Sequence, residues 1–212
     1  MATVVVYTNR AKDLITSWIN GGTPTAPKAV GWGNSTAAPT AAATDVAPFG
    51  EAAEARVTGT SSVVTTTTTN DTYQVVGTIT SSSGQTINES ILALSTTKPF
   101  ATTVTGGTAV GSTSGTTLTT AASYTPANGT YIQVRGEVML VSAGTGTTSL
   151  TVTRAQNGSA ASGAIANSDP VTLGNPPGTS GNNGDLFMHA SYTGLALSTG
   201  DALQATFQLK LS

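Results

Sequence analysis

The chain has 212 residues, of which 8 % are charged and 5 % aromatic, with 8 Lys+Arg against 10 Asp+Glu and a formal net charge of −2. Ordinary soluble domains carry about 25 % charged residues. Here the cations stand singly (Arg10, Lys12, Lys28, Arg56, Lys98, Arg135, Arg154, Lys210) and cannot track a run of phosphates, which excludes nucleic acid as a partner. The charge imbalance is too small for charge-driven disorder, and the abundance of Thr points to β structure instead.

With no Cys, disulfides and thiolate metal sites are excluded. No apolar run approaches the roughly 18 residues of a membrane span. Met1-Ala2-Thr3-Val4 lacks the basic start and apolar core of a signal peptide. The expectation is a product made in the cytoplasm, with no membrane partner.

Residues 2–7 are β-branched and aromatic and read as a strand. They lead into Asn9 to Ile19, where Ala11, Leu14, Ile15 and Trp18 recur at helical spacing. Thr8 or Asn9 serves as N-cap and Gly21-Gly22 as stop. From Thr23 to Phe49, Pro, Ala and Thr surround a Gly31-Trp32-Gly33 knot, which reads as an irregular arm. Strands are expected at 54–57, 62–69, 73–80 and 86–94, with Asn70-Asp71 as a hairpin turn.

Ser95 to Thr117 is Thr/Gly-rich and reads as a crossover. One strand is expected from Tyr131 to Val141, with Ile132, Val134, Gly136, Val138 and Leu140 on one face, and another over 149–154. A second crossover follows over 174–184, then a strand around Leu186 to Tyr192. In the last segment Leu203, Ala205, Phe207, Leu209 and Leu211 alternate with polar residues, the signature of a strand with one buried face.

Catalytic chemistry finds little support. His189 is the single histidine, so it cannot anchor a multi-His metal site, and a lone strand His reads as packing or surface. Glu51 and Glu54 are the nearest carboxylate pair and read as a solvated turn rather than a glycosidase pair. The Gly-rich stretches lack the Lys-Ser/Thr of a phosphate loop. Asp169, Asp185 and Asp201 stand singly, without the spacing of a calcium loop. No catalytic residue, cofactor or metal is expected.

Gly31-Trp32-Gly33, Glu54-Ala55-Arg56-Val57, Thr65 to Thr69, Asn70-Asp71-Thr72-Tyr73-Gln74-Val75-Val76-Gly77-Thr78-Ile79-Thr80 and Ile87-Asn88-Glu89-Ser90-Ile91-Leu92 stand in that order. Ser198-Thr199-Gly200-Asp201 through Phe207 closes the series. Together they resemble tailed-bacteriophage virion structural proteins. The chain departs from that pattern at Ser90-Ile91-Leu92, where the pattern has Gly-Leu-Phe. In shorter relatives the segment like Leu186-Phe187-Met188-His189-Ala190 follows soon after, so 103–184 reads as an insertion. Within it, Ala127 to Val171 is similar to a small β module of phage structural proteins, with Ala155 in place of the usual Gly.

The expected fold is therefore mainly β. A base of residues 1–102 plus 185–212, an antiparallel sandwich or barrel with one short N-terminal helix, carries an inserted small β domain, 103–184. The resemblance implies a non-enzymatic capsid cement (decoration) protein. It would be a homotrimer in the virion, bind the major capsid protein lattice and stabilise the head. The arm 23–49 would carry the grip, with Trp32, Trp18, Pro27, Val30 and Phe49 at the interface, since burial of large apolar side chains contributes roughly 1.5–3 kcal/mol each. The alternative is a tail fibre, tail tip or baseplate subunit binding the host surface. There the insert would hold a glycan through Tyr124, Tyr131, Gln133, Gln156 and Asn157.

Overall fold

The computed structural model describes residues 3–211. In chain order its elements are β1 (Thr3–Tyr7), α1 (Asn9–Ile19), β2 (Ala29–Gly33), β3 (Val57–Thr58), β4 (Thr60–Val64), β5 (Thr72–Thr80), β6 (Gln85–Ala93) and β7 (Ala101–Gly106). They continue with β8 (Thr117–Thr120), β9 (Tyr131–Val134), β10 (Glu137–Ala143), β11 (Ser149–Thr153), β12 (Pro170–Gly174), β13 (Leu186–Leu197) and β14 (Ala202–Lys210). The chain is mainly β with one short helix. Ala2, the first residue of the strand expected over 2–7, lies outside the described residues.

Two antiparallel sheets form a sandwich, one ordered β1-β13-β6-β2-β3 and the other β14-β5-β4. Val30, Ile87, Leu92 and Phe187 of the first sheet and Val75, Ile79 and Phe207 of the second share one apolar core with Ala11 and Leu14 of α1. The layers approach closely at Gly77, where a Cβ would stand 2.8 Å from the Cβ of Val30. Thr8 starts the helix by accepting the Ala11 amide on its hydroxyl at 3.0 Å, satisfying one of the donors left free in a first turn.

The remaining six strands close into a barrel, β10-β11-β8-β7-β12-β9, with every pairing antiparallel. It has its own core, in which Ile132, Val134, Met139, Val141, Leu150 and Val171 are buried. Closure removes the free edges that a six-stranded sheet would otherwise present.

Five segments differ from the sequence-based expectation. Of the strand expected over 54–57 only Val57 is strand, as the first residue of β3, while Glu54 lies in a bend and Arg56 in irregular chain, each held by its own polar partners. The arm 23–49 is not irregular throughout: Ala29–Gly33 is β2, lying between β6 and β3 in the larger sheet. Gly31 and Gly33 suit that place because β6 side chains press on them, and a Cβ on Gly33 would lie 2.3 Å from the Glu89 carboxylate. Thr65 to Thr69 is not strand but a loop wound round Asp71, whose carboxylate accepts the amides of Thr66, Thr67 and Thr68. The expected crossover 95–117 contains β7, an alternating Thr strand of the barrel.

The single strand expected over Tyr131 to Val141 is instead a tight hairpin, with Val134 opposite Glu137 and Ile132 opposite Met139. Arg135 turns it at φ 54°. The turn shifts the inward phase, so Met139 and Val141 face the core in place of Val138 and Leu140. Glu137 thereby points inward as well, and Arg154 matches its buried carboxylate in a paired contact at 2.6 and 2.5 Å.

Candidate functional site

Val30, Trp32 and Phe49, expected at an interface, are buried against their own chain, Trp32 to 3 % exposure. Trp32 also donates its indole N–H to Glu54 at 3.1 Å. Seated this way, these three side chains hold the molecule together. Pro27 is likewise buried, whereas Trp18 behaves differently. Trp18 is half-buried, its ring centroid 6.1 Å from that of Phe187 and its N–H on the Pro24 carbonyl. With Pro27, Ile15, Ile19, Leu209 and Leu211 it lines an apolar hollow of about 370 Å³ between α1 and the end of β14.

Residues 41–50 run as a strap between sandwich and barrel. The Ala41 amide donates to Ser191 at 2.9 Å, and the amides of Phe49 and Gly50 donate to Glu89 at 2.9 and 2.7 Å. On the barrel side, Gln133 accepts the amides of Val46 and Ala47 at 2.7 and 2.9 Å and donates to Asp45 at 3.0 Å. His189 sits at the centre, fully buried, its Nδ1 2.7 Å from Asp45 and its Nε2 2.8 Å from Glu89. Burial alone would lower its pKa, but the hydrogen bonds to Asp45 and Glu89 and their charges outweigh burial and raise it to about 9. At neutral pH the ring is an imidazolium clamped between two carboxylates. With both nitrogens so engaged it has no free lone pair for a nucleophile's proton.

This cluster was invisible in the sequence, because Asp45 and Glu89 are 144 and 100 residues away from His189. The one hint is that β6 carries Glu89 and β13 carries His189, and the antiparallel pairing of these strands brings the two residues close.

The other titratable groups are also taken up by structure. Glu51 forms a two-point ion pair with Arg56 at 2.6 and 2.9 Å. At Glu54 burial opposes ionisation, but hydrogen bonds from the Ser82 hydroxyl and amide and from Trp32 prevail and hold the carboxyl at about 2. The two acids thus serve separate networks. Asp169 is buried against Arg135 at 2.7 Å, Asp185 pairs with Arg10 at 2.8 Å, and Asp201 caps the turn at Ser198. Among the described residues no group of three or more His, Cys, Asp or Glu side chains is placed to hold a metal. In the glycan set, Tyr124 and Gln133 are fully buried in the chain, which removes them from any sugar-binding surface.

Chemically available surface is concentrated on the sandwich. Besides the hollow at Trp18, a wider cleft of about 730 Å³ opens between β1 and β14, lined by Val5, Tyr7, Leu203, Ala205 and Phe207 among others. Val4 and Val5 are 44 % and 52 % exposed, Ile19 83 % and Leu211 68 %. Val63, on β4 at the other edge of the sandwich, is 60 % exposed. Searches against family models, curated proteins and solved structures give no significant match for this chain.

Proposed function

We propose that this chain is a virion structural protein of a tailed bacteriophage, a capsid cement or decoration subunit. In this reading it binds the major capsid protein lattice as a homo-oligomer and stabilises the head without catalysing a reaction. The motif order of the sequence supports the phage assignment. The observation that carries the binding role is the apolar hollow around Trp18, where Ile15, Ile19, Pro27 and Leu211 surround a half-buried indole. An aromatic anchor set among aliphatic side chains is the usual composition of an interface hot spot, and truncation of such an anchor costs about 2 kcal/mol or more. Repetition over a lattice multiplies a modest contact into stable attachment.

The test is to separate purified particles into heads and tails and quantify this chain by mass spectrometry. A copy number matching the capsid lattice, found on heads, is expected, together with weakened attachment of Ile19→Asp. A few copies found on tails would replace this reading with that of a tail fibre, tail tip or baseplate subunit.

A further inference from the structure

We infer that the open side of the sandwich, between β1 and β14, is the contact surface for a second copy of this chain, joined edge to edge across a two-fold axis. The inference rests on the strand edges alone, puts a two-fold pair in place of the homotrimer that the resemblance implies, and holds whether the protein sits on a head or on a tail.

β1 ends the five-stranded sheet and β14 ends the three-stranded one, so both present unpaired backbone groups on the same side of the molecule. Among the described residues the only hydrogen bond between the two strands runs from the Tyr7 hydroxyl to the Gln208 carbonyl, at 3.0 Å. Free edges are normally guarded by charge, proline or a bulge. β1 reads Thr-Val-Val-Val-Tyr and has none of these, and in β14 the only charge is Lys210, the last residue of the strand. β1 is also apolar on both faces. Val5 and Tyr7 line the cleft while Val4, on the opposite face, is 44 % exposed. Strands apolar on both faces belong in sheet interiors.

The occupant follows from the register. Antiparallel pairing of β1 with another β1, centred on Val5, sets Val4 against the second copy's Val6 and Thr3 against its Tyr7. Every cross-strand pair is then uncharged and mostly β-branched, the kind that stabilises a sheet. The five-stranded sheets become one ten-stranded sheet, and each cleft, floored by Leu203, Ala205 and Phe207, is closed by its equivalent. β14 is compatible with the same axis: centred on Thr206, it sets Gln204 against Gln208 and Leu203 against Leu209. On the opposite side β3 has only two residues, and the five-residue edge β4 carries Thr60, Ser61 and Ser62, so it lacks the apolar run of β1.

The experiment uses the absence of Cys from the chain. Residues facing each other across an antiparallel pair have Cα atoms about 4.5–5.5 Å apart, within the reach of a disulfide. Val5→Cys is therefore expected to give a covalent dimer under mild oxidation, whereas Val63→Cys, on the exposed β4 at the other edge, is expected to give none. Light scattering of the unmodified chain should report twice its 21.0 kDa mass. Val5→Lys should halve that mass while leaving the folded monomer intact, because Val5 is 52 % exposed in the single chain. A monomeric or trimeric mass for the unmodified chain, or cross-linking through Val63→Cys and not Val5→Cys, would overturn the inference.

Discussion

The barrel and the sandwich meet the same physical demand with opposite results. In the barrel, six strands close on themselves and the apolar interior is buried completely. In the sandwich, two sheets share a core yet stop short of closing, and Val4, Val5, Ile19 and Leu211 remain on the surface. The barrel closes within the single chain, while the sandwich keeps apolar side chains on its open side. Interaction is therefore to be sought on the sandwich, although the barrel is the more conspicuous unit of the fold.

The strap 41–50 ties the two together, and its central ion cluster is where the comparison is easiest to break. His189→Leu leaves the carboxylates of Asp45 and Glu89 buried without their cation. A loss of about 3–5 kcal/mol is expected in urea unfolding, with strap and sandwich amides losing hydrogen-exchange protection before those of the barrel. Retention of full stability would show that the cluster does not hold the strap.

The same cluster gives the sandwich a pH dependence. The folded pKa of His189, about 9, lies above the ordinary value of 6.5. Its contribution is therefore complete below pH 6.5 and is lost as pH rises through 9, a change on the order of 3 kcal/mol. Melting followed from pH 6 to 10 should fall over that window in the parent chain and stay flatter in His189→Leu.

Smaller effects sharpen the picture. Gly33→Ala presses a methyl group onto the Glu89 carboxylate, and an overpacking loss of about 1–3 kcal/mol is expected in thermal melts. In the barrel, Ala155 holds φ 54°, a left-handed conformation that glycine adopts without penalty. Ala155→Gly is expected to raise barrel stability by about 1 kcal/mol, measured by hydrogen exchange.

The sequence revealed elements whose pattern is local. Thr8 and the spacing Ala11-Leu14-Ile15-Trp18 give α1 with its observed bounds, and the alternation from Leu203 to Leu209 gives β14. Features set by distant partners were not legible. β2 becomes a strand because β6 lies beside it, although it reads Ala-Val-Gly-Trp-Gly within a Pro-rich stretch. The hairpin at Arg135 keeps apolar alternation on both sides of its turn, so nothing in the pattern announces the reversal. Trp32 looked like a surface anchor because it is large and stands in an irregular context; Glu54, 22 residues away, and the strands around it turn it inward. Trp18 lies on the apolar stripe of α1, whose spacing is local, and the structure sets it beside a hollow that Leu209 and Leu211 close from the far end of the chain.

The most direct test compares amide hydrogen exchange in the dilute free chain with that in the chain assembled on its particle. The account predicts new protection in α1 and in residues 20–28 beside the Trp18 hollow, with the already protected barrel strands unchanged. Equal exchange of those segments in both states, or protection gained only on the barrel, would contradict it.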